Sequence, residues 1–228
     1  MTLAQSEERK KAGEPLLTLE GVGYHYPSQL DGKLLLSDVN LTLHRGDVVV
    51  VVRGRNGSGK TTLLKLLAGQ IQPVTGSISK HADDVRVVYL NQHASDFVAP
   101  ALTVREQLLV GMGDRVAPMA RAAGATMSRE VKDILARYGI GLPEKLDAFT
   151  SELSGGQRQV VALVTALASK ADVLLLDEYT SFMDSETVAA SHGLIQRIVN
   201  SQLVSVVIVD HSQGLLGELS NPVYYDLM

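Results

Sequence analysis

Val48-Val49-Val50-Val51-Val52-Arg53-Gly54-Arg55-Asn56-Gly57-Ser58-Gly59-Lys60-Thr61-Thr62 decides how this chain folds. Five consecutive valines show no polar alternation, so they read as a strand buried on both faces. After the glycine-rich break, Thr61–Ala68 reads as a helix. Between the two, Gly54 to Thr61 obeys G-x-x-x-x-G-K-[ST] in the strand-then-helix context that this pattern requires. The chemistry explains the residue types. Glycines let successive backbone N–H groups turn inward on an anion, and the helix N-terminus adds partial positive charge. Lys60 is then placed to reach the β- and γ-phosphates of a nucleotide, and the Thr61 hydroxyl to ligate Mg²⁺. The alternative is a glycine-rich turn with a solvated lysine, but the bare pattern arises by accident in only roughly one chain of this length per hundred.

Outward from this stretch the chain alternates strand-like and helix-like segments. Before it, Leu16–Leu19, Leu34–Leu36 and Val39–Leu43 are short strand pieces parted by turn signals at Gly21, Gly23, Asp31-Gly32 and Arg45-Gly46-Asp47. After it, Val85–Leu90 reads as a buried strand. Thr103 and Glu106 have capping-box spacing ahead of an apolar stretch, and Val131, Ile134, Leu135 and Tyr138 recur at helical spacing before Gly139. Ser154 and Gln157 repeat the capping-box spacing before Val160–Ala168, which is apolar on nearly every face and is therefore expected to be buried. Strand Val173–Leu176, helix Ser185–Val199 and strand Val204–Val209 then alternate as in a parallel sheet crossed by helices, which places the chain in the α/β class.

Composition agrees. The 228 residues carry 21 Lys+Arg and 25 Asp+Glu, a net charge of −4, and 45% hydrophobic residues, which suits neither a polycationic nucleic-acid binder nor a disordered acidic tail. With 7 Tyr, 3 Phe and no Trp, the core must come from Val, Leu, Ile and Ala. The absence of cysteine excludes a disulfide framework and any Cys-ligated metal. No apolar run approaches the ~18 residues of a membrane span, so a membrane role is expected to come through a partner. Residues 1–14 are polar with no apolar core of a signal peptide and are expected to be a flexible tail, the folded domain running from 15 to 228. The end at Met228 is expected to leave no room for an added regulatory domain.

Two further constellations carry chemistry. Asp177 and Glu178 follow the apolar strand Val173–Leu176, where a parallel sheet presents its ligands. Asp177 is placed to hold the Mg²⁺ shell, and Glu178 to take a proton from, or orient, an attacking water. Alone, such a pair is commonly a solvated loop or a helix cap. Leu153-Ser154-Gly155-Gly156-Gln157 is the second. A capping box accounts for Ser154 and Gln157 but does not itself need two glycines, whereas close approach of backbone N–H groups to a phosphate does.

With these residues in place, the chain from about Leu16 onward resembles the nucleotide-binding subunits of ATP-binding cassette (ABC) transporters. The resemblance implies a P-loop NTPase core with a parallel sheet, an N-terminal antiparallel β subdomain and an inserted helical subdomain at roughly 95–153. It implies ATP and Mg²⁺ as ligands. It also implies a head-to-tail dimer in which the Ser154, Gly155, Gly156, Gln157 signature of one copy faces the phosphate loop (Gly54 to Thr62) of another. Further positions follow from it alone. Tyr26 resembles the aromatic that stacks on adenine, with Tyr24 as the alternative. Gln92 resembles the Q-loop glutamine, which contacts Mg²⁺ or the lytic water, Asp184 the D-loop aspartate and His211 the switch histidine at the γ-phosphate. Asp184 is otherwise a helix N-cap. Arg53, Arg55, Tyr179, Met183 and Asp210 depart from the family pattern; Tyr179 stands where a proline is usual, and Met183 where a leucine is.

The expected function is ATP hydrolysis that energises solute transport through a separate transmembrane permease, with the chain peripheral on the cytoplasmic face of the membrane; nucleic acid is not an expected partner. The pattern resembles importers of small solutes, amino acids among them. The apolar and aromatic segment Phe97–Val104, near Gln92, is the candidate docking surface for the permease, the alternative being that these residues simply pack the helical subdomain. The competing readings are a soluble single-cassette ABC ATPase with a mechanical or assembly role, and a module that senses ATP without hydrolysing it. Intact Lys60, Asp177, Glu178 and His211 speak against the last.

Overall fold

The computed structural model describes residues 13–27, 34–53, 57–112, 145–181, 183–209, 219 and 222–227. The segments around Val131–Gly139, Gly54–Asn56 and Asp210–His211 lie outside the described residues, as does the tail up to residue 12. The described residues fall into two compact units, one formed by Met1–Tyr89, Asp172–Asp177 and Val199–Met228, the other by Leu90–Ala171 and Glu178–Ile198.

In the first unit, β1 (Pro15–Tyr24) runs antiparallel to both β2 (Leu36–His44) and β4 (Thr75–Lys80) in a three-stranded sheet. Of the two pieces expected at Leu34–Leu36 and Val39–Leu43, the second and the last residue of the first lie in one strand, and Leu34 and Leu35 precede it. Asp38 adopts a left-handed φ of 52°, which lets the chain absorb the irregular register opposite Val22 and Tyr24 without leaving the sheet. Strand β4 gives no sequence signal: its burial pattern is almost wholly exposed, so Thr-Gly-Ser-Ile-Ser-Lys shows no apolar alternation. A second sheet has the order β5 (Val87–Leu90), β6 (Val173–Asp177), β7 (Ser205–Val209), β3 (Val48–Arg53) and β8 (Val223–Asp226). There β3 is parallel to β7 and β8, and β6 to β7. All five residues of β6 and of β7 are buried, which is why both read as continuous apolar runs. Leu17, Leu19, Val22 and Leu43 join Leu63, Leu64, Leu175 and Val207 in one hydrophobic core. Helix α1 (Lys60–Leu67) supplies its share from a face that buries Leu63, Leu64, Leu66 and Leu67.

One buried ion pair fixes the edge of this sheet away from the strand C-termini. Asp172 Oδ1 accepts from Arg45 Nη1 at 2.8 Å and its Oδ2 from the Arg86 N–H at 3.0 Å, with the Arg45 and Asp172 side chains 6% and 3% exposed. Asp172→Ala leaves the guanidinium buried without its counter-charge, so urea denaturation should show a loss of about 3–5 kcal/mol. An Arg45→Met/Asp172→Leu double variant should recover most of it.

In the second unit, α2 (Val104–Gly111) and α3 (Gly155–Ala168) pack together, and α3 also packs on the short 3₁₀ turn Ala94–Phe97. Both expected capping boxes are present. Thr103 Oγ1 accepts from the Glu106 N–H while Glu106 Oε2 accepts from the Thr103 N–H, and Ser154 with Gln157 repeats the arrangement at α3. Gly111 has no room for a Cβ, which would lie 2.6 Å from the Thr165 carbonyl oxygen. Helix α4 (Ser185–Ser201) runs two residues beyond the expected end at Val199.

Candidate functional site

The first unit brings the described phosphate-loop residues, Gly57 to Thr62, and Asp177 into one sheet-and-helix framework. Gly59 forms the N-cap of α1 at φ 97°, and no side chain caps that helix end. A Cβ there would also lie 2.6 Å from Leu36 Cδ2, so both backbone and packing demand glycine. Gly57 is left-handed as well, at φ 86°. Lys60, in the first turn of α1, is 7% exposed, Thr61 is exposed, and Thr62 is 3% exposed. The Thr62 hydroxyl shares a 3.0 Å hydrogen bond with the Tyr26 phenol. Tyr24 is buried with its ring set edge-on to Tyr26 at 5.1 Å between centroids, whereas Tyr26 is only half-buried.

Asp177 ends β6 at the sheet edge where β7 and β3 also end, its register partner being Val209. Its Oδ2 accepts from the Tyr89 hydroxyl at 2.7 Å. Burial, and then the Asp177 carboxylate, push the Tyr89 phenol well above the ordinary tyrosine range, so Tyr89 stays a donor. The other oxygen, Oδ1, is buried with no hydrogen-bond partner among the described residues, and the buried Ser58 Oγ is in the same position. A buried carboxylate oxygen without a donor costs free energy unless a ligand completes it. A hard carboxylate oxygen left open in this way fits Mg²⁺, which is usually held by one or two carboxylates and otherwise keeps waters and phosphate oxygens. Among the described residues there is no cluster of three or more His, Cys, Asp or Glu side chains placed to hold a metal ion.

Tyr89 was not legible as a site residue. Within Val87-Val88-Tyr89-Leu90 it looks like one more apolar strand position, and only the neighbouring strand reveals its partner.

In the second unit, Glu178 is half-buried and holds a left-handed φ of 48°. Its carbonyl accepts from the Ser181 N–H at 3.0 Å. Gln92 is half-buried, its Nε2 lies 3.4 Å from His93 Nε2, and its carbonyl accepts from Gln159 Nε2 at 2.9 Å. Asp184 caps α4: its Oδ1 accepts from the Thr187 N–H at 2.8 Å and its Oδ2 from the Thr187 hydroxyl at 3.0 Å, which together lower its carboxyl below the ordinary range.

The two signature glycines have different reasons. A Cβ on Gly156 would meet Thr187 Cγ2 at 2.6 Å, so Gly156 lets α3 approach α4 closely. A Cβ on Gly155 would meet nothing within 4 Å. Gly156 thus has a packing reason to be glycine that no sequence pattern announces, beside the place at an anion expected for both glycines. Gly155 keeps an open approach.

The Phe97–Val104 segment is also mixed. Phe97 is 49% exposed, but Val98 and Val104 are buried, and Gln107 staples the segment to α2 by accepting from the Ala99 N–H and donating to the Phe97 carbonyl. Phe149 adds a second half-exposed ring in this unit.

The chain is similar to known proteins. Residues 36–181 match the family profile described as ABC transporter. The aliphatic sulfonates import ATP-binding protein SsuB 1 of Burkholderia lata is 32% identical over 89% of this chain and 60% of its own length. The methionine import ATP-binding protein MetN of Bradyrhizobium diazoefficiens is 30% identical over 91% of this chain and 62% of its own. The chain therefore spans about three fifths of the length of these curated relatives. Among solved structures, an inward-facing metal-chelate type ABC transporter superposes with a TM-score of 0.72 at 26% identity, over 92% of this chain and 79% of that one. A dimeric bacterial ABC transporter cassette gives 0.71 at 23% identity, over 92% and 94%, and supports the fold. The phosphate-loop framework, the β6 carboxylate and a profile match over more than half the sequence place this chain in the ABC transporter family.

Proposed function

We propose that the chain binds and hydrolyses ATP between two head-to-tail copies and passes the resulting opening and closing to a separate membrane permease. The observation that carries this reading is Asp177: one oxygen held by Tyr89, the other buried and unsatisfied, at the end of a strand two places from β3. Lys60, with Gly54, Arg55, Asn56, Gly57, Ser58 and Gly59, wraps the triphosphate, and Thr61 and Thr62 begin the helix behind it. Tyr26, the more exposed of the two rings, stacks on adenine. Thr61, Asp177 and Gln92 would hold Mg²⁺, which would offset the negative charge of the phosphates. Glu178 accepts the proton of the attacking water, Gln92 orients that water, and His211 meets the γ-phosphate. From the other copy, Ser154 and the open backbone at Gly155 approach the triphosphate, and Asp184 lines the junction. Most of the rate gain is positioning and electrostatics.

The import relatives support a small organic solute as cargo, and Phe97 and Phe149 support a permease contact on the cytoplasmic face of a membrane. Among the described residues no helix is long and apolar enough to cross a membrane. Steady-state phosphate release tests the reading: turnover that needs Mg²⁺ and stops with EDTA is expected, and ATP bound without release overturns it. The glycines offer a finer test. Gly155→Ala should fold at least as stably, alanine being about 0.5–1 kcal/mol the better helix former, yet lose activity on the order of a hundredfold through misplaced phosphate contacts. Gly156→Ala should cost about 1–3 kcal/mol in thermal unfolding through overpacking on Thr187.

A further inference from the structure

Residues with a Cβ hold a left-handed backbone like that of Glu178 only where their surroundings impose it. Beside the Ser181 contact, two buried polar side chains tie down the chain next to it. Gln159, 3% exposed in α3, donates both Nε2 hydrogens to main-chain carbonyls, that of Gln92 at 2.9 Å and that of Tyr179 at 3.3 Å. Both partners are acceptors, so only the amide nitrogen can face them. Tyr179, 2% exposed, answers by donating its hydroxyl to the Gln159 carbonyl at 2.5 Å. That hydroxyl also lies beside Ser191 of α4, whose own hydroxyl donates to Met183 Sδ at 3.3 Å. Two positions where the sequence departs from its family, Tyr179 and Met183, therefore meet around one buried serine. A proline at 179 has no hydroxyl to make this tie.

We propose that Gln159, with Tyr179 as its counterpart, is a positioning residue that holds the Glu178 segment and the Gln92 segment in fixed register with the helix that starts at Ser154. The three segments then shift as one piece when ATP engages or leaves. This rests on the reading of Glu178 and Gln92 as the groups that handle the lytic water.

The test uses the full chain with Mg²⁺ and ATP. Gln159→Met keeps shape but donates nothing, and should lower kcat about tenfold while the KM for ATP stays within about twofold. Gln159→Glu turns a carboxylate oxygen toward two carbonyls and should fall lower still. Tyr179→Phe removes a single oxygen, keeps the ring, and should lower kcat about threefold; it reads the tie even if the Gln159 variants fail to fold. In a Glu178→Gln background, Gln159→Met should add clearly less than its own tenfold loss, because one of the two groups it positions is already disabled. Parental kcat in both Gln159→Met and Tyr179→Phe overturns the proposal, as does a full multiplicative loss in the Glu178→Gln background. If Glu178→Gln is dead while these variants are fully active, only the positioning role falls. If Glu178→Gln is itself fully active, the assignment of Glu178 falls and the proposal with it.

Discussion

Glu178→Gln is expected to bind ATP about as well as the parent and to release phosphate at least roughly a hundredfold more slowly, the usual contribution of a positioned base. The substitution is nearly isosteric. It keeps an oxygen that can hydrogen-bond water but removes the capacity to take a proton. The segment that follows residue 178 is tied down by Gln159 and Tyr179, which the substitution leaves in place, so the loop should keep its shape. Phosphate release and equilibrium nucleotide binding, measured on the same preparation, separate the two effects. Undiminished turnover would remove Glu178 from the role of base.

Lys60→Ala is expected to fail earlier, at binding. The lysine sits in the first turn of a helix that no side chain caps, and it is almost wholly buried, so water screens its charge poorly. A charge-assisted contact in such a place is worth about 1.5–3 kcal/mol, so calorimetry should show ATP affinity reduced by roughly ten- to a hundredfold or more. Unchanged affinity would mean that the glycine-rich turn is only a turn.

How much of this was legible in the sequence depended on whether a residue's role is local. The strand–loop–helix of the phosphate loop and both capping boxes depend on neighbours three to eight positions away, and their spacing declares them. Strands β4 and β8 depend on partners far along the chain. Thr75–Lys80 is held by β1 although it is nearly all exposed, and Val223–Asp226 by β3 although Val223 is 60% exposed, so neither carries an apolar pattern. The same distance hid Tyr89 behind Asp177, and Thr187 behind Gly156. Gln159 left one trace: a long amide directly ahead of the largely apolar run Val160–Ala168, where a buried polar group must find partners. Tyr179 and Met183 stood out as departures, but only the fold shows that they share Ser191.

The account requires a second copy of the chain to complete each ATP site. Light scattering on Glu178→Gln, with and without ATP and Mg²⁺, measures this directly. A single-chain mass without nucleotide and twice that mass with it, reverting when Ser154→Arg is added, is the predicted result. A single-chain mass at saturating ATP would contradict the account.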